Sequence, residues 1–382
     1  MNVTFDDAPP PGHINFGVGQ PSADLLPVKL VETASADFLR CARPFEFNYG
    51  ERQGDRRFRE SLAAFLSRQY GLPTRPESLL VTAGNSQALA FIATQLTRPG
   101  DTVFVEEPSY FLAFNILRDH GVKLVGIPID EHGMLIEHLE AELQAHKPSL
   151  VYTIPSYHNP TGLCMSAARR HRLVELSQEH GFVIAADEVY QLLHYYDPPP
   201  VAFGSLAGQQ GGDGSIVSMG SFSKILAPGM RLGWIQTSEP LLQRLMANGV
   251  VSSGGSLSHF SSQVVRHAID LGLQDQHLDH LRNVYRNRVE AMVRALRKHL
   301  GDSARWHKPQ GGYFFWLEMP KDFDAPAMRQ LAPSFKTGFQ AGSVSSTKGQ
   351  FSNCIRLSFA HYNEEQISDG IGRIAALISS NY

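Results

Sequence analysis

The sequence predicts an α/β protein: a large unit built on a mostly parallel sheet with helices on both faces, joined to a smaller α/β unit. Three observations carry this expectation. The chain has 382 residues, 42% of them hydrophobic and 19% charged, which is enough to bury a sizeable core and more than a single core usually serves. From about residue 78, strand-like and helix-like runs alternate. After about residue 255 the texture changes.

A strand-like run at 78–81 meets Thr82-Ala83-Gly84, and the helical pattern at 86–96 closes on Arg98-Pro99-Gly100. A strand at 102–105, a helix at 110–120 and a strand at 123–127 follow. The helix at 135–145 leads to a strand at 150–154, and the helix at 167–180 to one at 182–185. Two more apolar runs lie at 216–219 and 232–235. Beyond them a long helical stretch at about 261–299 leads to Gly311-Gly312, an apolar run at 313–317 and a strand at 355–359. Asn363 with Gln366 three residues on is a capping-box signature and opens a last helix. The expected division is a large unit at 46–255 and a small one, 1–45 with 256–382, that closes over it.

Composition narrows the function. The net charge of −3 gives no electrostatic footprint for nucleic acid or an anionic membrane. The clusters Arg56-Arg57-Phe58-Arg59 and Arg169-Arg170-His171-Arg172 lie in helical stretches and read as solvated faces. Cys41, Cys164 and Cys354 are odd in number and widely spaced, so a reducing compartment fits best. The start at 1–12 is acidic and Pro-rich, without the basic and apolar regions of a signal peptide. No apolar run approaches the ~20 residues of a membrane span. A cytoplasmic protein is the expectation. The 16 histidines show no metal-binding spacing, and no metal is expected. A P-loop is absent, and Gly17-Val18-Gly19 lacks the third glycine of a dinucleotide fingerprint.

Ligands of such sheets bind outside the carboxyl ends of the strands. Polar residues gather there: His158-Asn159-Pro160-Thr161-Gly162, Asp187-Glu188-Val189-Tyr190, Ser221-Phe222-Ser223-Lys224, and Arg231 before Leu232-Gly233-Trp234. Singly, each has a plain reading as a turn or a helix cap. Jointly they suit pyridoxal 5'-phosphate. Its aldehyde needs a lysine amine, its pyridine nitrogen a carboxylate, and its ring oxygen hydrogen-bond donors. Its phosphate needs hydroxyls, an arginine and the amides of a helix start.

These motifs, with Asn15-Phe16-Gly17-Val18-Gly19-Gln20-Pro21, Pro228-Gly229-Met230-Arg231 and Ile355-Arg356-Leu357-Ser358, resemble fold-type I pyridoxal-phosphate aminotransferases of class I/II nearly end to end. The look is closest to the branch of 2-aminoadipate and kynurenine-type aminotransferases. The resemblance implies a Schiff base on Lys224, which also shuttles the proton, with Asp187 on the pyridinium nitrogen and Tyr190 and Asn159 on the ring oxygen. It implies Ser221, Ser223 and Arg231 on the phosphate, joined by backbone and side-chain donors of Asn85 and Ser86, with Tyr110 stacked on the ring. Arg356, helped by Asn159 and Gly19, would bind the substrate. Tyr49 would reach the phosphate of a second subunit, which implies a homodimer with shared active sites. An L-amino acid and a 2-oxo acid would be the substrates, with a broad or aromatic and long-chain preference.

The residues themselves support part of this. At 355–359 the apolar positions alternate with Arg356 and Ser358, so Arg356 points away from the apolar face. Tyr110 opens an aromatic helix and could equally be core. His158 could line the substrate pocket. The segment 18–26 is expected to cover the site, and 335–350 lacks the proline common in the family before the glycine matching Gly342. A lyase on the same scaffold would use the same cofactor residues. An effector-sensing regulator would carry a DNA-binding region ahead of this fold.

Overall fold

The computed structural model describes residues 10–207 and 214–382; most of the acidic start at 1–12 lies outside the described residues. In chain order the strands are β1 (Ile14–Asn15), β2 (Leu79–Thr82), β3 (Thr102–Glu107), β4 (Lys123–Asp130), β5 (Gly133–Met134), β6 (Pro148–Thr153), β7 (Val183–Asp187), β8 (Ile216–Ser221), β9 (Gly233–Thr237), β10 (Arg305–Trp306), β11 (Phe314–Glu318), β12 (Thr337–Gly338), β13 (Gln340–Ala341) and β14 (Cys354–Ser358).

Eight of these form one sheet in the order β2-β9-β8-β7-β6-β3-β4-β5. Strands β8, β7, β6, β3 and β4 run parallel; β9 runs against both its neighbours, and β5 against β4. Side chains of a strand alternate between faces, and here both faces are covered. Val103, Val105, Leu150, Tyr152 and Ala185 join one core with Leu89 and Ile92 of helix Asn85–Leu96. Phe104, Val151, Ile184 and Ala186 join another with Leu139 of helix Ile136–Ala145 and Leu173 of helix Ala167–His180. This is the expected α/β architecture, with strands carried two residues further at Asp187 and Ser221 than the apolar runs alone reach.

A second, antiparallel sheet has the order β10-β11-β14-β13. Strand β1 pairs in parallel with β12, so the N-terminal segment meets the C-terminal part. Helices Leu273–His299 and Glu364–Asn381 pack together beside this sheet. The capping box forms: Asn363 Oδ1 accepts from the Gln366 N–H at 2.9 Å, and Gln366 Oε1 from the Asn363 N–H at 3.1 Å. The single helical stretch expected at 261–299 is two helices, His259–Asp270 and Leu273–His299. Gly272 separates them at φ +72, a left-handed conformation that glycine adopts without strain. Cys41, Cys164 and Cys354 are all free. Among the described residues no helix is long and apolar enough to cross a membrane, and no cluster of side chains is poised for a metal.

Candidate active site

A cavity of about 880 Å³ lies at the carboxyl ends of β6, β7 and β8, and Arg356 of β14 closes it from the second sheet. Every site residue expected from the sequence lines it except Tyr49, which is 84% exposed. Val18, Gly19 and Gln20 of the segment expected to cover the site also line it.

Asp187 ends β7 and is buried. Tyr152 donates its hydroxyl to Oδ2 at 2.9 Å, and Asn85 donates its amide to Oδ1 at 2.6 Å. Burial pushes the carboxyl above its ordinary range; the bonds from Asn85, Tyr152 and the Val189 N–H and the charge of Lys224 oppose that. The side chain of Asn85 is thus engaged with Asp187 rather than turned to a phosphate. The neighbouring Glu188 points the other way, as strand alternation requires. It accepts from the Phe203 and Gly204 N–H groups and the Ser218 hydroxyl, 3.7 Å from Arg170 Nη1.

Lys224 lies in the loop after β8. Its Nζ donates to the Gly19 carbonyl at 3.0 Å and lies 5.2 Å from the Tyr313 ring centre. Burial pushes the amine down to about 8, the charges of Arg356 and Arg231 add to this, and Asp187 opposes it. Tyr190 is buried with its ring 5.4 Å from that of Tyr313 and 6.0 Å from that of Phe314; burial pushes its phenol up. Tyr110 precedes helix Phe111–Asp119, and burial pushes its phenol up to about 12.

A polar corner forms where β8 ends and β9 begins. Ser221 Oγ donates to Ser223 Oγ at 2.9 Å and accepts from the Ser223 N–H at 3.1 Å. Arg231, at φ +45, donates to the Pro228 and Ala83 carbonyls, each at 3.1 Å. Helix Asn85–Leu96 starts here without a side-chain cap, so its first amides, including that of the exposed Ser86, lack helical partners. Gly84, at φ +86, leaves room: a Cβ there would stand 3.0 Å from Arg231 Nη2.

Arg356 is buried opposite Gln340 in the β13–β14 register. Its Nη1 donates to Asn159 Oδ1 and its Nη2 to the Gly17 carbonyl, each at 3.0 Å, and its carbon lies 4.3 Å from the Phe314 ring centre. Burial pushes it down to about 10.

Other placements were not expected. His158 does not line the cavity; its Nδ1 stands 2.9 Å from Thr161 Oγ1 and its Nε2 3.2 Å from Glu106 Oε2. The stretch at 335–350 makes a short 3-10 turn, Gly342–Ser345, after β13. Glu107 anchors it by accepting from the Thr347 hydroxyl at 2.6 Å, and the Ser109 N–H donates to the Ser345 carbonyl at 2.8 Å. Tyr152, Arg329 and His361 were missed, although all three line the cavity. Tyr152 had one signal, its place on the same strand face as Leu150 and one residue before the end of β6.

The residues present fit pyridoxal phosphate. Asn85 Oδ1 and Arg356 Nε are buried without hydrogen-bond partners. A buried amine, a carboxylate held by two side-chain donors and a backbone N–H, and an uncapped helix start with two hydroxyls and an arginine answer the aldehyde, the ring nitrogen and the phosphate. Such a site defines an enzyme that handles amino groups through a bound aldehyde.

The comparisons with known proteins agree. The model of the aminotransferase class I and II family matches residues 11–374. Aromatic-amino-acid aminotransferase 1 of Thermococcus litoralis is 31% identical over 370 residues, 96% of this chain and 88% of that protein. The multiple substrate aminotransferase from Thermococcus profundus superposes with a TM-score of 0.90 at 28% identity, covering 97% of this chain and 92% of that one. The alpha-aminoadipate aminotransferase of Thermus thermophilus, complexed with N-(5'-phosphopyridoxyl)-L-leucine, superposes at 0.87 with 29% identity, covering 97% and 93%. The chain belongs to the class I and II aminotransferase family. It is a fold-type I enzyme that uses pyridoxal phosphate to transfer amino groups.

Proposed function

We propose that Lys224 holds the cofactor and carries the proton in amino transfer between an L-amino acid and a 2-oxo acid with aromatic or long side chains. The observation that carries this is a buried amine pushed down to about 8 in a cavity whose lining has a single carboxylate, Asp187.

Bound pyridoxal phosphate supplies a carbonyl that condenses with amines and a ring that takes up the electron pair left at Cα. Lys224 Nζ is uncharged in a useful fraction near neutral pH, so it serves as nucleophile and as base for the Cα proton. Asp187, oriented by Tyr152 and Asn85, faces the ring nitrogen; a cation there reverses the effect of burial and keeps the carboxylate ionised. Tyr190 and Asn159 are donors for the ring oxygen, and Tyr110 packs on the ring. Ser221, Ser223, Arg231 and the first amides of helix Asn85–Leu96, that of Ser86 among them, hold the phosphate. Arg356, aligned by Asn159, takes the substrate α-carboxylate beside Gly19.

The side-chain preference is supported by the named activities of the relatives and by the apolar walls of the cavity, Leu89, Phe111, Ile116 and Phe339. A homodimer is supported by an aromatic surface: Phe45, Phe47, Tyr49 and Phe260 are each more than half exposed. Tyr49 would enter the partner's phosphate corner. The divisions at 46–255 and at 1–45 with 256–382 would move as two units around the substrate. The free cysteines support a cytoplasmic setting.

Borohydride reduction of the cofactor-loaded enzyme, followed by peptide mass spectrometry, tests the assignment. The expected result is a reduced adduct on Lys224 alone. Lys224→Ala should lose the adduct and at least ~10²-fold of the transfer rate. An adduct on another lysine, or unimpaired transfer by the variant, would remove Lys224 from this role.

A further inference from the structure

We propose that Arg329 is a specificity-determining residue that binds a second carboxylate at the far end of the substrate side chain, so that dicarboxylic amino acids and their 2-oxo acids are accepted beside apolar ones. The inference rests on the functional reading above, and it follows from the charges facing the cavity. Lys224, Arg231, Arg329 and Arg356 line it against one carboxylate, Asp187. Under that reading Lys224 is taken by the cofactor, Arg231 by its phosphate, Asp187 by its ring nitrogen and Arg356 by the α-carboxylate. Arg329 is left over.

Its surroundings show a cation without a counter-ion. Arg329 sits in the last turn of helix Ala325–Leu331, whose start is fixed by the Asp324 side chain accepting from the Ala327 N–H at 3.0 Å. Among the described residues its guanidinium makes no ion pair, hydrogen bond or ring contact. Other shielded arginines here are held: the partly buried Arg282 donates to the Leu192 carbonyl at 2.9 Å, and the buried Arg288 to Ser22 Oγ at 2.9 Å. Burial pushes Arg329 down, with no carboxylate to oppose it. The helix packs on β13, where Gln340 stands opposite Arg356; both arginines line the cavity, and their charges repel. A ligand with carboxylates at both ends relieves both charges. A guanidinium matches a carboxylate with two parallel bonds, and water is partly excluded here.

The test uses the cofactor-loaded enzyme with adipate and hexanoate, equal in carbon number but carrying two carboxylates and one. Their binding is measured by calorimetry, and kcat/KM is measured for 2-aminoadipate and norleucine. Arg329→Met should weaken adipate binding and lower kcat/KM for 2-aminoadipate by ~10- to 100-fold, leaving hexanoate and norleucine unchanged. Arg329→Lys should restore part of the loss. Equal losses for both members of each pair, or a wild-type enzyme that binds adipate no better than hexanoate, would overturn the proposal. So would a Met variant that binds adipate normally but dissociates into monomers, since Arg329 would then be neutralised across a subunit interface. A wild-type enzyme that transfers no amino group from either substrate, yet binds adipate through Arg329, would overturn the functional reading and leave the anion site standing.

Discussion

Lys224 should destabilise the cofactor-free fold, and replacing it with methionine should make that fold more stable near neutral pH. The amine falls from its ordinary 10.5 to about 8 on folding, which corresponds to about 3 kcal/mol of penalty on the charged form. Methionine removes this charge but also the Nζ–H bond to the Gly19 carbonyl, worth about 1 kcal/mol, so the expected net gain is about 2 kcal/mol. The sign with pH follows from proton counts. Below about 8 both states hold the proton and the penalty is complete; between about 8 and 10.5 the unfolded chain holds more, so rising pH favours the folded state. Above 10.5 the penalty is gone. Urea unfolding of cofactor-free wild type and Lys224→Met, at one protein concentration and across this range, reads the difference. A variant that is less stable near neutral pH, or a difference that does not shrink as the pH rises, would show that the Gly19 carbonyl and cavity water solvate the ammonium fully. The reasoning on Lys224 would then fail.

Other substitutions separate the duties of neighbouring groups. Tyr152→Phe removes the 2.9 Å donor to Asp187 and should weaken pyridoxal-phosphate affinity ~10-fold in an absorbance titration; an unchanged affinity would mean that Asn85 and the Val189 N–H suffice to hold the carboxylate. Arg356→Ala should lower kcat/KM for amino acids ~10²-fold with cofactor affinity retained, and a parallel loss of cofactor would reassign it. Glu188→Ala removes the counter-charge of the buried Arg170, which keeps its bonds to the Met165, Val201 and Pro155 carbonyls, and leaves two backbone N–H groups without their acceptor, so stability in urea should fall by ~3–5 kcal/mol while cofactor affinity holds.

Much of the fold was legible because parallel strands buried on both faces read as short apolar runs between helical periods. The break at Gly272 was not, because Leu271 and Leu273 continue the helical pattern on either side of it. In the site, the readable residues were those just past strand ends, where polar groups interrupt apolar runs. Tyr152 sits inside such a run and looks like core until its hydroxyl is seen on Asp187. The pair Asp187-Glu188 shows the same limit: the sequence places two carboxylates at one strand end, and only the direction of β7 decides which faces the cavity. For Asn85 the sequence could not divide backbone from side chain. Arg329 belongs to a short helix without a motif, and its meaning depends on Gln340 and Arg356, which reach it only through tertiary structure.

The reversal of β9 against β8 has a further consequence for how the site assembles. Because the chain leaves the sheet at Ser221 and re-enters it at Gly233 on the same edge, the hydroxyls, the lysine and Arg231 belong to one contiguous loop. Closing such a loop costs little chain entropy. Asp187 and Asn159 arrive by parallel crossovers, and Arg356 comes from the far end of the chain. The hydroxyls and the arginine of the phosphate grip are therefore a local set, and the amides of helix Asn85–Leu96 reach them from a distant segment. The groups that meet the ring nitrogen, the ring oxygen and the substrate carboxylate depend on the whole sheet, so most of the anchor is written in one short stretch of sequence and the chemistry in the entire fold.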